Sequence, residues 1–194
     1  VVTNASPDIT EITNQTLDEG ELLTGLTLTF TDAARVAHLA RTETFTYSID
    51  WGDDSDPETG SVSSVIDGGF GEAATGILPL SHAYPDNGDY TTTVTITDAD
   101  LGEDATSFDT SVQNTAPSTQ SKATLATIDE GQTVPATQLL SFADNGFGGF
   151  SGRSVETSSY TIDWADGQID AGTTDIIDGS AGTPTTGTVT GGHT

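Results

Sequence analysis

The chain has 194 residues, with 30 acidic side chains against four Lys and Arg and a formal net charge of −26. That balance excludes nucleic acid as a partner, because phosphate binding needs clustered bases. Cysteine is absent, which removes disulfides and thiol chemistry, and no apolar run approaches the ~18 residues that a bilayer-spanning helix needs.

In chain order, Asn4-Ala5-Ser6-Pro7 opens the sequence and Asp18-Glu19-Gly20 marks a turn in which Gly accepts a positive φ. Leu22 to Phe30 then interleaves Leu22, Leu26, Leu28 and Phe30 with Thr, as a strand with one buried face does. Ala33 to Arg41 has helix-forming composition behind a capping Asp32, enough for a short helix of two turns. From Thr44 to Trp51 the alternation is strict: Phe45, Tyr47, Ile49 and Trp51 share one face and Thr44, Thr46, Ser48 and Asp50 the other. Weaker strand signals run over Ser61–Ile66 and Gly76–Leu80. After the turn Asp86-Asn87-Gly88, the set Tyr90, Thr92, Val94 and Ile96 alternates with Thr91, Thr93, Thr95 and Thr97, and β-branched residues suit such a pleated surface. Phe108 and Val112 place a last strand before Asn114.

These landmarks then return. Tyr47-Ser48-Ile49-Asp50-Trp51-Gly52-Asp53 reappears 113 residues later as Tyr160-Thr161-Ile162-Asp163-Trp164-Ala165-Asp166. Asn4-Ala5-Ser6-Pro7 is matched by Asn114-Thr115-Ala116-Pro117, Asp18-Glu19-Gly20 by Asp129-Glu130-Gly131, Phe30-Thr31-Asp32 by Phe142-Ala143-Asp144, and His82 by His193. A period this long is a whole domain in tandem, since solenoid units of about 20 to 50 residues cannot bury a core alone. The expected domains are residues 1–113 and 114–194, the second incomplete because His193 is followed only by Thr194. With no Met in the chain, the sequence is expected to be a window from a longer protein. About seven short strands per repeat, punctuated by Gly and Asn turns, predict an all-β antiparallel sandwich.

Three stretches together, Tyr47 to Asp53, Ser81-His82-Ala83-Tyr84 and Gly88 to Asp98, resemble the polycystic-kidney-disease (PKD) domain. The resemblance covers essentially the whole chain and implies tandem immunoglobulin-like sandwiches of the kind found in large bacterial surface proteins. One departure is Asp54, where the family's turn often has Gly; the second repeat keeps Asp166-Gly167. On this reading Trp51 and Trp164 are core residues, as the alternation also requires. His82 and Tyr84 are expected to bond loop backbone before a turn.

The acids leave two readings open: a solvated acidic surface, or cation sites. Acid pairs such as Asp53 and Asp54 lack the sheltered groove that a glycosidase needs to raise one carboxyl pKa, and no Ser/His/Asp arrangement is apparent in the sequence. Calcium takes about six to eight hard oxygen ligands from loops. The resemblance implies such a site at the domain entry, with Asn4, Asp32, Asp98 and Asp100 in the first repeat and Asn114 and Asp144 in the second.

The expected function is therefore a non-catalytic structural segment of a long extracellular or cell-surface protein: a spacer, stalk or fibre component, rigidified by calcium near domain junctions. The alternative is a polysaccharide- or protein-binding module of an adhesin or secreted hydrolase. Expected partners are neighbouring repeats, other copies through strand addition at an unfinished sheet edge, and glycans.

Overall fold

The computed structural model describes residues 4–33, 43–68, 72–121, 127–149 and 157–194. Every regular element among them is a strand. By contacts the chain divides into two units, one of residues 1–17, 22–82 and 88–112 and one of residues 18–21, 83–87 and 113–194. The expected helix at Ala33–Arg41 lies, apart from Ala33, outside the described residues.

The first repeat contributes β1 (Asp8–Ile9), β2 (Gln15–Asp18), β3 (Leu22–Asp32), β4 (Phe45–Asp50), β5 (Glu58–Ser61), β6 (Ser64–Ile66), β7 (Ala74–Ala83), β8 (Gly88–Asp98) and β9 (Glu103–Gln113). They form a four-stranded sheet in the order β1-β3-β7-β6 and a five-stranded sheet in the order β2-β9-β8-β4-β5. The pairs β1–β3, β4–β5, β4–β8, β6–β7 and β8–β9 are all antiparallel. This crossover pattern is that of an immunoglobulin-like sandwich. Alternation places Leu28 and Phe30 of β3, Phe45 and Ile49 of β4, Leu80 of β7 and Val94 and Ile96 of β8 in the core, each no more than 2% exposed. Phe30 and Phe45 join the two sheets edge to face, 4.8 Å between ring centroids. Gly76 lies under the Phe30 ring, where any Cβ would collide.

The Ser61–Ile66 signal is in fact two strands in different sheets, β5 and β6. Their breaking point at Val62 and Ser63 cannot be seen in a short polar run.

The second repeat builds β10 (Ser118–Ser121), β11 (Val134–Asp144), β12 (Ser158–Asp163), β13 (Ile169–Thr174), β14 (Ile176–Ile177) and β15 (Thr185–His193). One sheet has the order β10-β11-β15-β14, matching the four-stranded sheet of the first repeat; the other is the pair β12-β13. Inward residues here are less covered. Ile162 and Trp164 are half-buried, against 1% and 2% exposure for Ile49 and Trp51.

The turns after the two Trp residues also differ. Gly52 and Ala165 occupy the same position, both left-handed, at φ 77 and 63. Gly takes this conformation freely and Ala does not. Asp54 carries the left-handed conformation of its turn at φ 63, where the second repeat uses Gly167 at φ 95; Asp tolerates it because its short side chain bonds locally.

Two substitutions test this packing by denaturant unfolding. Leu28→Ala is expected to cost about 2–5 kcal/mol, and Leu140→Ala, at the half-buried matching position, clearly less. Ala165→Gly is expected to stabilise its unit by about 1 kcal/mol through relief of the left-handed strain.

Candidate functional site

Two polar constellations are built on the first unit. One lies at the turn between β8 and β9. Asp98 ends β8 with its side chain 4% exposed. Its Oδ1 accepts the backbone N–H groups of Asp100 and Gly102, both at 2.8 Å, and its Oδ2 accepts the Asn4 amide at 2.8 Å. Leu101, at φ 70, closes the turn by donating its N–H to the Asp98 carbonyl at 3.2 Å. Asp98 thus shapes the turn that brings Asp100 to its edge, its carboxylate oxygens taken up by these donors.

Asp32, the last residue of β3, is 1% exposed. Glu43 stands two residues before Phe45, which pairs with Asp98 across β4 and β8. Burial pushes the Glu43 pKa up, the charges of Asp32, Asp98 and Asp100 push it further, and a hydrogen bond to the Ala99 backbone opposes them. Four carboxylates therefore share one end of the unit. The structure brings together the expected Asn4, Asp32, Asp98 and Asp100 and adds Glu43, which sequence alone did not single out. Only the register Phe45↔Asp98 makes it a neighbour. Even so, among the described residues no group of three or more His, Cys, Asp or Glu stands in metal-holding geometry.

In the second unit Asn114 is exposed and Asp144 half-buried. Asp144 accepts the Gly146 N–H at 3.2 Å and helps raise the pKa of Glu19. Burial is the main cause of that rise, and the Thr115 N–H, 2.8 Å from Glu19 Oε1, opposes it.

The other constellation surrounds Trp51. The His82 ring stacks on the indole at 4.5 Å and 6°, and its Nε2 donates to Asp53 Oδ2 at 2.8 Å. His82 lies near the end of β7, just before the turn, and its Nε2 takes a carboxylate partner that the sequence did not single out. Asp53 is 4% exposed. Burial would raise its pKa, but hydrogen bonds from His82 and from the Ser55 hydroxyl and N–H outweigh that and hold it at about 2.

The arrangement recurs in the second unit. His193 stacks on Trp164 at 4.7 Å and 9° and donates to Asp166 Oδ2 at 2.8 Å, a hydrogen bond that lowers the Asp166 pKa. The sequence carried the signal, because Trp, the Asp two residues on and the His are all kept in both repeats.

Chemically, this group is not poised for acyl transfer. In a serine triad the hydroxyl bonds the imidazole and the carboxylate bonds its far nitrogen. Here Ser55 Oγ donates to Asp53 Oδ1 at 2.6 Å, so the hydroxyl and the imidazole share one carboxylate.

A cavity of about 480 Å³ on the sheet of β10, β11 and β15 is lined by Ser118, Gln120, Ser141 and Thr188. Phe142 also borders it but is 8% exposed, so it offers little ring face for a sugar to stack on.

What the strand order defines is an immunoglobulin-like β-sandwich unit. No protein-family model matches the chain, and no curated protein matches it significantly. Among solved structures it is similar to the PKD domain of an M14-like peptidase from Thermoplasmatales archaeon SCGC AB-540-F20, with 19% identity over 57% of this chain and 96% of that one and a TM-score of 0.30.

Asp53→Asn is expected to destabilise the first unit by about 1–2 kcal/mol at pH 7, because it removes the charge from a buried hydrogen-bonded pair. A depressed carboxyl pKa stabilises fully above the unfolded value and loses its effect as pH falls through the folded one. Urea unfolding should therefore show the gap between wild type and variant constant above about pH 4 and closing by about pH 2; a gap that persists at pH 2 would contradict the charge-based account.

Proposed function

We propose that this chain is a non-catalytic structural segment of a long extracellular bacterial protein, a spacer or stalk of PKD-type sandwiches in tandem. The observation that carries this reading is the Trp–His–Asp stack, built twice with nearly the same geometry. In each copy the imidazole is tied to the carboxylate, and the position of the stack between the sheets makes it a fastener. Repetition of a fastener is what a protein needs when each domain must hold its shape under load and hand on the chain to the next.

Calcium at the acidic end of the first unit belongs to this proposal. The donor chemistry fits: Asn4, Asp32, Glu43, Asp98 and Asp100 offer the hard oxygens that calcium prefers. When bound, it would supply charge neutralisation and cross-linking of β3, the segment before β4 and the β8–β9 turn. Asn114 and Asp144 are the corresponding residues proposed for the second repeat, with neighbouring repeats as the partners.

Glu43, with its raised pKa, favours the folded state as pH falls and costs stability once ionised, so relief by a cation is greatest at neutral pH. The melting temperature is therefore expected to rise with millimolar calcium at pH 7 and drop back with chelator. The rise should shrink toward pH 4 and be lost in Asp32→Asn, Glu43→Gln double variants. An unchanged midpoint at pH 7 would remove calcium from the proposal.

A further inference from the structure

We propose that the turn Asp18–Glu21 is a strap built into the second unit: residues supplied by the first repeat clamp residues 113–115 and the loop 145–147, so that 113–115 do not act as a free linker. The second unit is more than the second repeat. It takes Asp18–Glu21 and Ala83–Asn87 together with residues 113–194.

Hydrogen bonds within that unit show how the strap holds. Glu19 grips the chain on both sides of Asn114: its N–H donates to the Gln113 carbonyl at 2.9 Å, and its Oε1 accepts the Thr115 N–H at 2.8 Å. Gly20 donates its N–H to the Tyr84 carbonyl at 2.9 Å, and the carbonyl of the next residue, Pro85, accepts the Phe147 N–H at 3.0 Å. One path of backbone contacts thus runs from 113–115 through the strap to Phe147. It is sealed from water, since Glu19 is 3%, Tyr84 0% and Phe147 6% exposed. Opening it would leave buried polar groups without partners, which is costly.

The second repeat makes the same turn without the strap. Glu21 N–H closes on the Asp18 carbonyl at 3.1 Å and Gln132 N–H on the Asp129 carbonyl at 3.0 Å, with Gly20 and Gly131 left-handed at φ 70 and 78. A positive φ at the third position is a local demand of such a turn, so Asp-Glu-Gly meets it in both places. What differs is the surroundings. Glu130 is exposed and a Cβ on Gly131 would meet nothing within 4 Å, whereas a Cβ on Gly20 would collide with the Asn145 carbonyl. The backbone of the loop 145–147 stands directly on Gly20. Glycine is therefore required there twice, for its φ and for that close approach.

The strap is continuous with strands of the first repeat. β2 runs into it at Asp18, and β7 ends at Ala83, one residue before Tyr84. Substitutions in the first repeat should therefore be felt at Thr115 and Phe147, a dependence that alternation and composition do not suggest.

The test uses the full chain and hydrogen exchange resolved by residue. Gly20→Ala is expected to speed exchange at the Thr115 and Phe147 amides about tenfold or more, through local opening of the strap. Gly131→Ala carries the same left-handed strain with open space above it, and should change those two amides clearly less. Glu19→Ala should speed exchange at Thr115, Glu19→Gln should keep most of the protection because its amide oxygen still accepts the N–H, and Glu130→Ala should move neither amide. Equal effects of Gly20→Ala and Gly131→Ala, or of Glu19→Ala and Glu130→Ala, overturn the proposal. So does exchange at Thr115 and Phe147 of the unsubstituted chain as fast as that of a free linker, a measurement that needs no variant to fold.

Discussion

The stack of imidazole on indole, tied to a carboxylate, is the contact on which the first sandwich depends. Trp51 follows β4 in one sheet and His82 lies on β7 in the other. Their near-parallel contact therefore fixes the sheets at a spot where Gly52, Asp53 and Asp54 must turn the chain away. Asp53 can remain ionised there although burial opposes it, because three hydrogen bonds arrive from His82 and Ser55. Remove the carboxylate and the ring nitrogen loses this partner; remove the ring and the buried charge keeps only the two donors of Ser55.

Acidity is handled in three distinct ways in this chain. Asp98 is satisfied by backbone N–H groups and an amide, so its charge is spread over a turn that it also organises. Asp53 takes an imidazole partner. Glu19 and Glu43 are buried near other acids, and their pKa values rise. Only the last solution leaves stability to be recovered, and the proposed cation would recover most of it where Glu43 feels the charges of Asp32, Asp98 and Asp100. The same logic explains how a chain of such high net charge can fold: self-repulsion is offset locally, by donors placed where strands end.

Comparison of the repeats separates what a strand is from how well it is covered. The Tyr-x-Ile-Asp-Trp pattern gives a strand of six residues in both, with the same phase and the same edge partner. In one repeat the apolar face is sealed by β8, whereas among the described residues of the other β12 pairs only with β13; the matching Ile and Trp are less buried there, and Ala stands at the turn in place of Gly. Burial is a property of neighbours, and alternation states only which face needs them.

Much of the fold was therefore legible in the sequence. Period-two alternation is a local consequence of strand geometry, and it located β3, β4, β8 and the core faces of β4 and β8, including Trp51; in β3 it placed Leu28 and Phe30 correctly but not Leu22, which is exposed while Leu23 is buried, on the far side of the left-handed Gly25. The repeat identified the matching strands downstream. Alternation could not divide the polar run between β5 and β6, nor reveal the short strands β1 and β2, whose few residues carry no period. The site was legible only in part. Asn4, Asp32, Asp98 and Asp100 were expected together, but Glu43 joined them through the pairing of β4 with β8, and His82 found Asp53 across 29 residues of chain. Side-chain phase is set by each residue and its immediate neighbours, so sequence determines it. Which carboxylate meets which partner depends on register between strands distant in the chain, and only the folded sheets decide that.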